Sequence, residues 1–102
     1  MDLDAGNCPI RVLETASPHT DDSTLIEAPG EKVLFVGDAT CGAFSSWEKE
    51  PALCRQLAET IRLTDAETCV EGHWTPVTKE AMIMDLLEDA GMEQEDRRAF
   101  FQ

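Results

Sequence analysis

The stretch KVLFVGDATCG, residues 32–42, decides the predicted fold, because an apolar strand ends there on a carboxylate. Four consecutive apolar residues at 33–36 are typical of a buried strand. Gly37 then gives the backbone freedom to turn, and Asp38 stands at the end of the strand. An aspartate in this place is a turn-former, a neighbour of a phosphate-binding loop or a metal ligand. The rest of the sequence has to discriminate between these roles.

The composition indicates one small, strongly acidic domain. The 102 residues include 21 acidic and 8 basic side chains, a formal net charge of −13, and 42% hydrophobic residues. A field of this sign repels nucleic acid and anionic membranes, so we exclude both as partners. No apolar run approaches the roughly 20 residues that span a bilayer, and the N-terminus lacks the apolar core of a signal peptide. We therefore expect a cytoplasmic protein.

The four cysteines, at positions 8, 41, 54 and 69, contain no C-x-x-C pair. In the absence of an export signal we expect reduced thiols, not a disulfide framework or a zinc knuckle. Cys41 lies near Asp38, which leaves open a nucleophile with a histidine as its base. A structural thiol is the favoured interpretation.

On both sides of residues 32–42, short apolar segments alternate with residues that favour turns. Strands are predicted at 8–14, 23–28, 32–37 and 67–72. Pro29 and Gly30 separate the second and third of these, which predicts an antiparallel hairpin. The polar segments 17–22 and 38–50 are predicted loops, and long connections often carry function.

Two apolar stripes at helical spacing predict two helices. Pro51 suits the first turn of one helix. A second helix over 79–90 is N-capped by Thr78 and ended by Gly91, and 92–102 is a short C-terminal helix or tail. The stripes consist of Leu53, Cys54, Leu57, Ala58 and Ile61 in the first helix, and Met82, Ile83, Leu86, Leu87 and Ala90 in the second. Together the elements predict a mixed α/β (α+β) fold with helices on one face of a sheet.

Three polar residues stand out, because each follows a predicted strand and opens a loop. They are His19, Asp38 and His73. If the strands lie side by side, their ends bring all three to one rim. Two imidazoles and a carboxylate are ligand types that zinc and non-haem iron prefer. The alternative is that each is an ordinary loop residue, since solvated histidines and aspartates after glycine are common.

The order of these residues resembles the C-terminal half of the metallo-β-lactamase fold. The resemblance rests on SPHTDDSTLIEAPGEKVLFVGDA (17–39) and VEGHWTPVT (70–78), and it covers about residues 8–90. His19 stands where the family has a metal-binding histidine in a G-H-T phrase, although Pro18 replaces the commoner glycine. Asp38 matches the aspartate of the family's L-F-x-G-D phrase, and His73 matches the histidine of its G-H phrase.

The resemblance implies a metal site and a hydrolytic activity. In the family pattern, a histidine at the place of His19 binds one metal ion, a histidine at the place of His73 binds the other, and an aspartate at the place of Asp38 bridges both ions. The implied cofactor is zinc, two per complete site, with iron or manganese as alternatives. The implied reaction is hydrolysis of an ester, amide, thioester or phosphoester bond of a small-molecule substrate. The implied fold is one half of an αββα sandwich, so that residues 1–102 form a single partial domain.

One departure from the family is large. The family's H-x-H-x-D-H motif is absent, and the chain contains only two histidines in all. Each metal therefore lacks most of its ligands within this sequence, and a lone half leaves an apolar sheet face uncovered. We expect a truncated or half domain that is inactive alone and that forms a homodimer or binds a partner half through that face.

The same residues are compatible with two alternative functions. The phrase VLFVGDATCG faintly resembles the opening of a Rossmann or methyltransferase unit, but it has neither G-x-G-x-x-G nor the G-K-[ST] of a phosphate loop. The stronger alternative is a non-catalytic half-domain that acts as an interaction or assembly module, with His19, Asp38 and His73 as inherited relics.

Several further residues have two interpretations each. Trp47 and Trp74 either line a substrate pocket or cap the core. Asp21 and Asp22 either tune a metal site at His19 or are solvated loop acids. The methionines of the second helix region are interpreted as helix packing, not as a soft-metal site; they are Met82, Met84 and Met92.

Overall fold

The computed structural model describes residues 2–5, 8–19, 23–41, 48–72 and 75–100 of the chain. Within these ranges the chain forms six strands and three helices. They are β1 (Asp2–Ala5), β2 (Cys8–Thr15), β3 (Ser23–Ala28), β4 (Val33–Gly37), α1 (Pro51–Arg62), β5 (Thr68–Glu71), β6 (Val77–Thr78), α2 (Lys79–Asp89) and α3 (Gln94–Ala99).

The strands form one sheet in which the spatial order equals the sequence order, β1 to β6. All neighbouring strands are antiparallel except β4 and β5, which are parallel and are connected through α1. The predicted mixed sheet is therefore confirmed. Since β2, β4 and β5 run in the same direction, their carboxyl ends meet at one edge of the sheet, which we call the carboxyl edge.

Helix α1 begins where the sequence predicts, with Pro51 in its first turn. Proline is favoured there because its missing N–H has no partner within a helix in any case. The predicted stripe is confirmed, since Cys54, Leu57, Ala58 and Ile61 are all fully buried. Helix α1 packs mainly against α2, and both lie over the sheet.

Helix α2 is bounded by the two predicted residues. Thr78 Oγ1 accepts a hydrogen bond from the Ala81 N–H at 3.1 Å, which satisfies one of the free donors of the first turn. Gly91 adopts a φ of 75°, a left-handed conformation that ends the helix without a steric penalty. Met82 is 3% exposed in the core, so its predicted packing role is confirmed. Among the described residues, no helix is long and apolar enough to cross a membrane.

The two faces of the sheet differ because side chains alternate along each strand. Leu25, Leu34, Val36 and Cys69 face the helices and belong to the buried core. The opposite face carries a row that the strand register aligns across four strands, which we call the apolar row: Val12, Ile26, Phe35 and Val70. In that row Ile26 is 41% exposed and Phe35 is 46% exposed. The helices thus cover one face only, as predicted.

The structure corrects two details of the sequence analysis and adds a third. Residues Asp2–Ala5 form the edge strand β1, which the acidic sequence did not predict. Val77–Thr78 form the short strand β6 beside β5, where the sequence predicts no strand and Thr78 only as a helix cap. In the predicted turn between β3 and β4, the residue with a positive φ is Lys32, at 56°, and not Gly30. Lys32 adopts this conformation at a steric cost of roughly 1 kcal/mol.

Candidate functional site

Asp38 lies at the carboxyl edge, immediately after β4. The β4–β5 register shifts between Phe35 and Gly37, and Gly37 adopts a φ of 56°, so the chain bends sharply before Asp38. The turn is then closed by the Cys41 N–H, which donates to the Asp38 carbonyl at 2.9 Å. Asp38 is exposed. A bulge followed by a tight turn therefore presents this carboxylate at the end of a strand in which Leu34 and Val36 are buried.

Gly72 lies directly against the Asp38 side chain. Its N–H donates to the Gly37 carbonyl at 3.1 Å, which extends the β4–β5 pairing to the carboxyl edge. A Cβ atom at position 72 would stand 3.0 Å from Asp38 Oδ1. A side chain at this position would require the carboxylate to shift by a few tenths of an ångström. The sequence analysis assigned Gly72 no role of its own, although the phrase VEGH places it immediately before His73.

A side-chain hydrogen bond ties the Asp38 turn to the end of β5. Thr40 Oγ1 donates to Glu71 Oε2, and Thr40 is itself buried. Together with the backbone bond from Gly72, this contact fixes the turn after β4 to the end of β5.

His19 follows β2, the third strand that ends at the carboxyl edge. The segment before it is anchored, because the Ser17 and Ser23 hydroxyl oxygens form a buried hydrogen bond of 2.6 Å. Pro18 is buried and His19 is half-buried. The strand directions therefore place His19 and Asp38 at the same edge.

Several predicted residues lie outside the described part of the chain. They are His73, Asp21, Asp22, Trp47 and Trp74. Within the described ranges, no group of three or more histidine, cysteine, aspartate or glutamate side chains is arranged to hold a metal ion. The shared site of His19, Asp38 and His73 stays a prediction.

The surroundings of Cys41 raise the pKa of its thiol, although the Lys49 ammonium acts in the opposite direction. Burial raises its pKa, and the negative charges of Asp38 and Glu71 raise it further. A nucleophilic cysteine needs the opposite shift, because only the thiolate attacks. Burial likewise raises the pKa of Cys69 to about 11, and both residues, like Cys54, are free thiols. The structural role is thus the better interpretation of Cys41.

A cleft of about 670 Å³ opens beside the Asp38 turn, between that turn and α2. Thr40, Cys41 and Glu71 line one side, and α2 contributes Met82 and Leu86 to the other. This volume is within the range of small-molecule pockets, roughly 300–1,000 Å³. Small-molecule access next to Asp38 is therefore compatible with the described geometry.

Replacing Gly72 with alanine is expected to displace the Asp38 carboxylate. The added methyl group would contact Asp38 Oδ1 at 3.0 Å, closer than ordinary van der Waals contact. We expect metal affinity to fall about 10–100-fold, as it does when groups that orient ligands are changed. Titration with a chromophoric zinc competitor measures this change. The matched control is Gly30→Ala, where a Cβ meets nothing within 4 Å; equal affinities of the two variants would contradict the prediction.

Comparison with known proteins identifies the fold. No protein-family model matches the sequence, and no curated protein matches it. Among solved structures, the chain is similar to a metallo-β-lactamase from Pontibacter korlensis, with a TM-score of 0.63 and 18% identity over 91% of this chain and 46% of that one. It is also similar to a metallo-β-lactamase family protein from Thermus thermophilus, with a TM-score of 0.57 and 19% identity over 97% and 33% of the two chains.

A third similar structure is an archaeal metallo-β-lactamase superfamily protein from Sulfolobus tokodaii. Its TM-score is 0.62, with 17% identity over 93% of this chain and 38% of that one. These likenesses confirm the predicted fold resemblance. The chain spans between a third and just under half of the length of these proteins, so it has the fold of a partial metallo-β-lactamase domain.

Proposed function

We propose that this chain is the part of a metal-dependent hydrolase domain that supplies His19, Asp38 and His73 to a dinuclear metal centre. The complete domain hydrolyses an ester, amide, thioester or phosphoester bond of a small molecule. A reducing cytoplasm suits its free thiols. The activity requires a complementary half, which contributes the remaining metal ligands.

The observation that carries the proposal is the contact between Gly72 and the Asp38 carboxylate. A Cβ at position 72 would stand 3.0 Å from Oδ1, so glycine at this position lets the backbone next to His73 in sequence approach the carboxylate. A carboxylate that binds an ion needs free space at its oxygens.

The chemistry of the donor set fits divalent metal ions. Asp38 has two carboxylate oxygens, so one side chain can hold two cations, and an imidazole from His19 or His73 suits zinc, iron or manganese. Such ions lower the pKa of water and polarise the bond to be cleaved. The chain's own contribution is to hold the carboxylate in place, through the Gly37 bend and the Thr40–Glu71 bond.

The apolar row is the proposed contact surface for the complementary half. A metal with one or two protein ligands binds weakly, since protein zinc sites normally use three or four. The chain's two histidines cannot complete two such sites. Meanwhile Ile26 and Phe35 are 41% and 46% exposed in the middle of a sheet. Covering this face would remove apolar surface from water and bring further ligands to the carboxyl edge.

Metal content tests the proposed site directly. The purified chain is stripped with a chelator, incubated separately with zinc, iron and manganese, dialysed and analysed by inductively coupled plasma mass spectrometry. We expect uptake of at least one of these ions. A chain that is folded by circular dichroism and takes up none of them would show that these residues do not hold metal without the complementary half, and a complex with that half that also takes up none would refute the site. Activity assays on ester and phosphoester panels follow only with the complementary half present.

Replacing Phe35 with lysine is expected to weaken association through the apolar row at least tenfold. Burying a phenylalanine side chain contributes about 1.5–3 kcal/mol, and a lysine in its place would have to bury a charge. Light scattering over a range of protein concentrations measures the self-association of the chain in the absence of the complementary half. Thr24→Lys is the matched control, because it adds the same charge to the same face outside the row. A wild-type chain that stays monomeric throughout would contradict self-association through the apolar row, and equal binding of the complementary half by the wild-type chain and Phe35→Lys would contradict the proposed contact.

A further inference from the structure

The cleft beside the Asp38 turn has a charge that the proposed hydrolysis does not explain. Its volume is about 670 Å³, and Thr40 and Cys41 of that turn form one side of it. Among the described residues that line it, one lysine is positively charged and four side chains are negatively charged, which gives this lining a formal net charge of −3. The charged residues are Lys49, Glu71, Asp85, Glu88 and Asp89.

Within the described part of the chain, two of these carboxylates have partners and two do not. Glu71 accepts the hydrogen bond that ties the end of β5 to the turn after β4. Asp89 Oδ2 forms an ion pair with Lys49 Nζ at 3.0 Å. The side chains of Asp85 and Glu88 form no ion pair or hydrogen bond with a described residue, and both residues are exposed. These two carboxylates can therefore pair with a cation that enters the cleft.

The end of α2 places acidic residues where a helix does not favour them. The carbonyl groups at the C-terminal end of a helix carry partial negative charge, so basic side chains are stabilising there and acidic ones are not. The last turns of α1 and α3 follow this rule with arginines, whereas the last turn of α2 contains no basic residue. Asp85 lies three and four positions before Glu88 and Asp89, a spacing at which like charges repel. Helix stability therefore does not explain these three acids, and such local conflicts are typical of functional sites.

The floor of the cleft is apolar. Met82 and Leu86 are buried and close the cleft toward the core. Val77 and Cys41 are half-buried, so they present apolar surface to the open space. An apolar floor below a negatively charged rim suits an organic cation and repels an anion. A metal ion fits less well, because no group of three or more histidine, cysteine or acidic side chains in the described ranges is arranged to hold one.

We propose that this cleft binds the substrate of the hydrolase through an ammonium group of the substrate, which pairs with Asp85 and Glu88 while the apolar part of the substrate lies against Val77. The inference rests on the proposed function, since the Asp38 turn forms one side of the same cleft. It narrows the substrate to an ester, amide or thioester that carries a positive charge. A phosphoester is disfavoured, because the net negative charge of the lining repels its own negative charge.

Binding of benzylammonium to the chain tests the proposal without metal or catalysis. Chemical shifts of backbone amides are followed during separate titrations with benzylammonium chloride, benzyl alcohol and sodium benzoate, in buffers of equal and low ionic strength. The three probes share one ring and differ in charge, so the titrations measure selection by charge at nearly constant apolar surface.

We expect saturable shifts at Cys41, Val77 and Glu88 with benzylammonium. Binding of benzyl alcohol should be weaker by about threefold or more, and benzoate should show no saturable binding. Equal binding of the amine and the alcohol, or no saturable shift at these residues with the amine, would overturn the proposal.

A pair of double variants locates the interaction. Asp85→Asn/Glu88→Gln is expected to weaken benzylammonium binding about fivefold or more, because two exposed ion pairs of modest strength are lost. The control Glu80→Gln/Asp96→Asn removes two charges from exposed acids in the first turns of α2 and α3, away from the cleft lining, and is expected to leave binding unchanged. Equal binding by the two double variants would assign the attraction to the net charge of the whole chain and overturn the proposal.

Urea unfolding of the same variants separates a binding role from a structural one. Asp85→Asn/Glu88→Gln relieves repulsion at the end of α2, so its urea midpoint should rise, whereas the control loses favourable charges at helix N-termini and its midpoint should fall. A fall in both midpoints would show that Asp85 and Glu88 stabilise the fold, and would overturn their assignment to ligand binding. No readout depends on metal, so failure here is distinct from failure of the proposed metal site.

Discussion

The zinc affinity of the chain is expected to fall about 100-fold or more when Asp38 is replaced by alanine. Changing a residue that merely orients a metal ligand already costs 10–100-fold, and loss of a ligand should cost at least as much. Asp38 is also the residue proposed to bind both metal ions, so its loss should lower the affinity at both metal positions. Titration against a chromophoric competitor, with metal content after dialysis, measures the effect.

The control for Asp38→Ala is Asp96→Ala. Asp96 is an exposed aspartate of α3, so this variant makes the same change in net charge away from the carboxyl edge. Its zinc affinity should equal that of the unmodified chain. If Asp38→Ala and Asp96→Ala retain metal equally well, attraction by the general acidity of the protein would explain the binding, and the assignment of Asp38 would be wrong.

The free energy of unfolding is expected to fall by about 2–5 kcal/mol when Leu57 is replaced by alanine. Leu57 is completely buried in α1, within the core that joins both long helices to the sheet. Small domains are stable by only about 5–15 kcal/mol, and one uncovered sheet face leaves this chain with less burial than a complete domain. This single variant should therefore remove a large fraction of the stability.

Urea unfolding followed by far-ultraviolet circular dichroism measures the change. Leu63→Ala is the matched control, since Leu63 is 71% exposed just beyond α1, and we expect a change within about 0.5 kcal/mol. A Leu57→Ala midpoint equal to that of Leu63→Ala would show that the α1 packing does not determine the stability of the chain.

The elements with a strong periodic pattern could be predicted from the sequence. Helix α2 is the best example, because its apolar spacing, its Thr78 cap and its Gly91 end all point to the same boundaries. Asp38 could also be placed at a strand end, since four apolar residues and a glycine precede it. Agreement between local signals of different kinds made these predictions specific.

Elements and roles that depend on a neighbour could not be predicted in this way. Strand β1 alternates acidic and apolar residues, but four residues are too short a run to predict a strand, and β1 forms through backbone pairing with β2. The role of Gly72 depends on Asp38, which is 34 positions away in sequence and close in space. Lys32 carries the positive φ because the hairpin register fixes the turn, although Gly30 has the stronger local preference.

The equality of spatial and sequence order in the sheet has a consequence for folding kinetics. Each strand pairs with the strand made just before it, so β1 to β4 can form as successive hairpins whose loop-closure entropy is small. Only the parallel pairing of β4 with β5 must wait for α1 to be synthesised and docked. Because low contact order favours rapid folding, the sheet can grow in the direction of synthesis, and we expect the pairing of β5 beside Asp38 to be the slowest step.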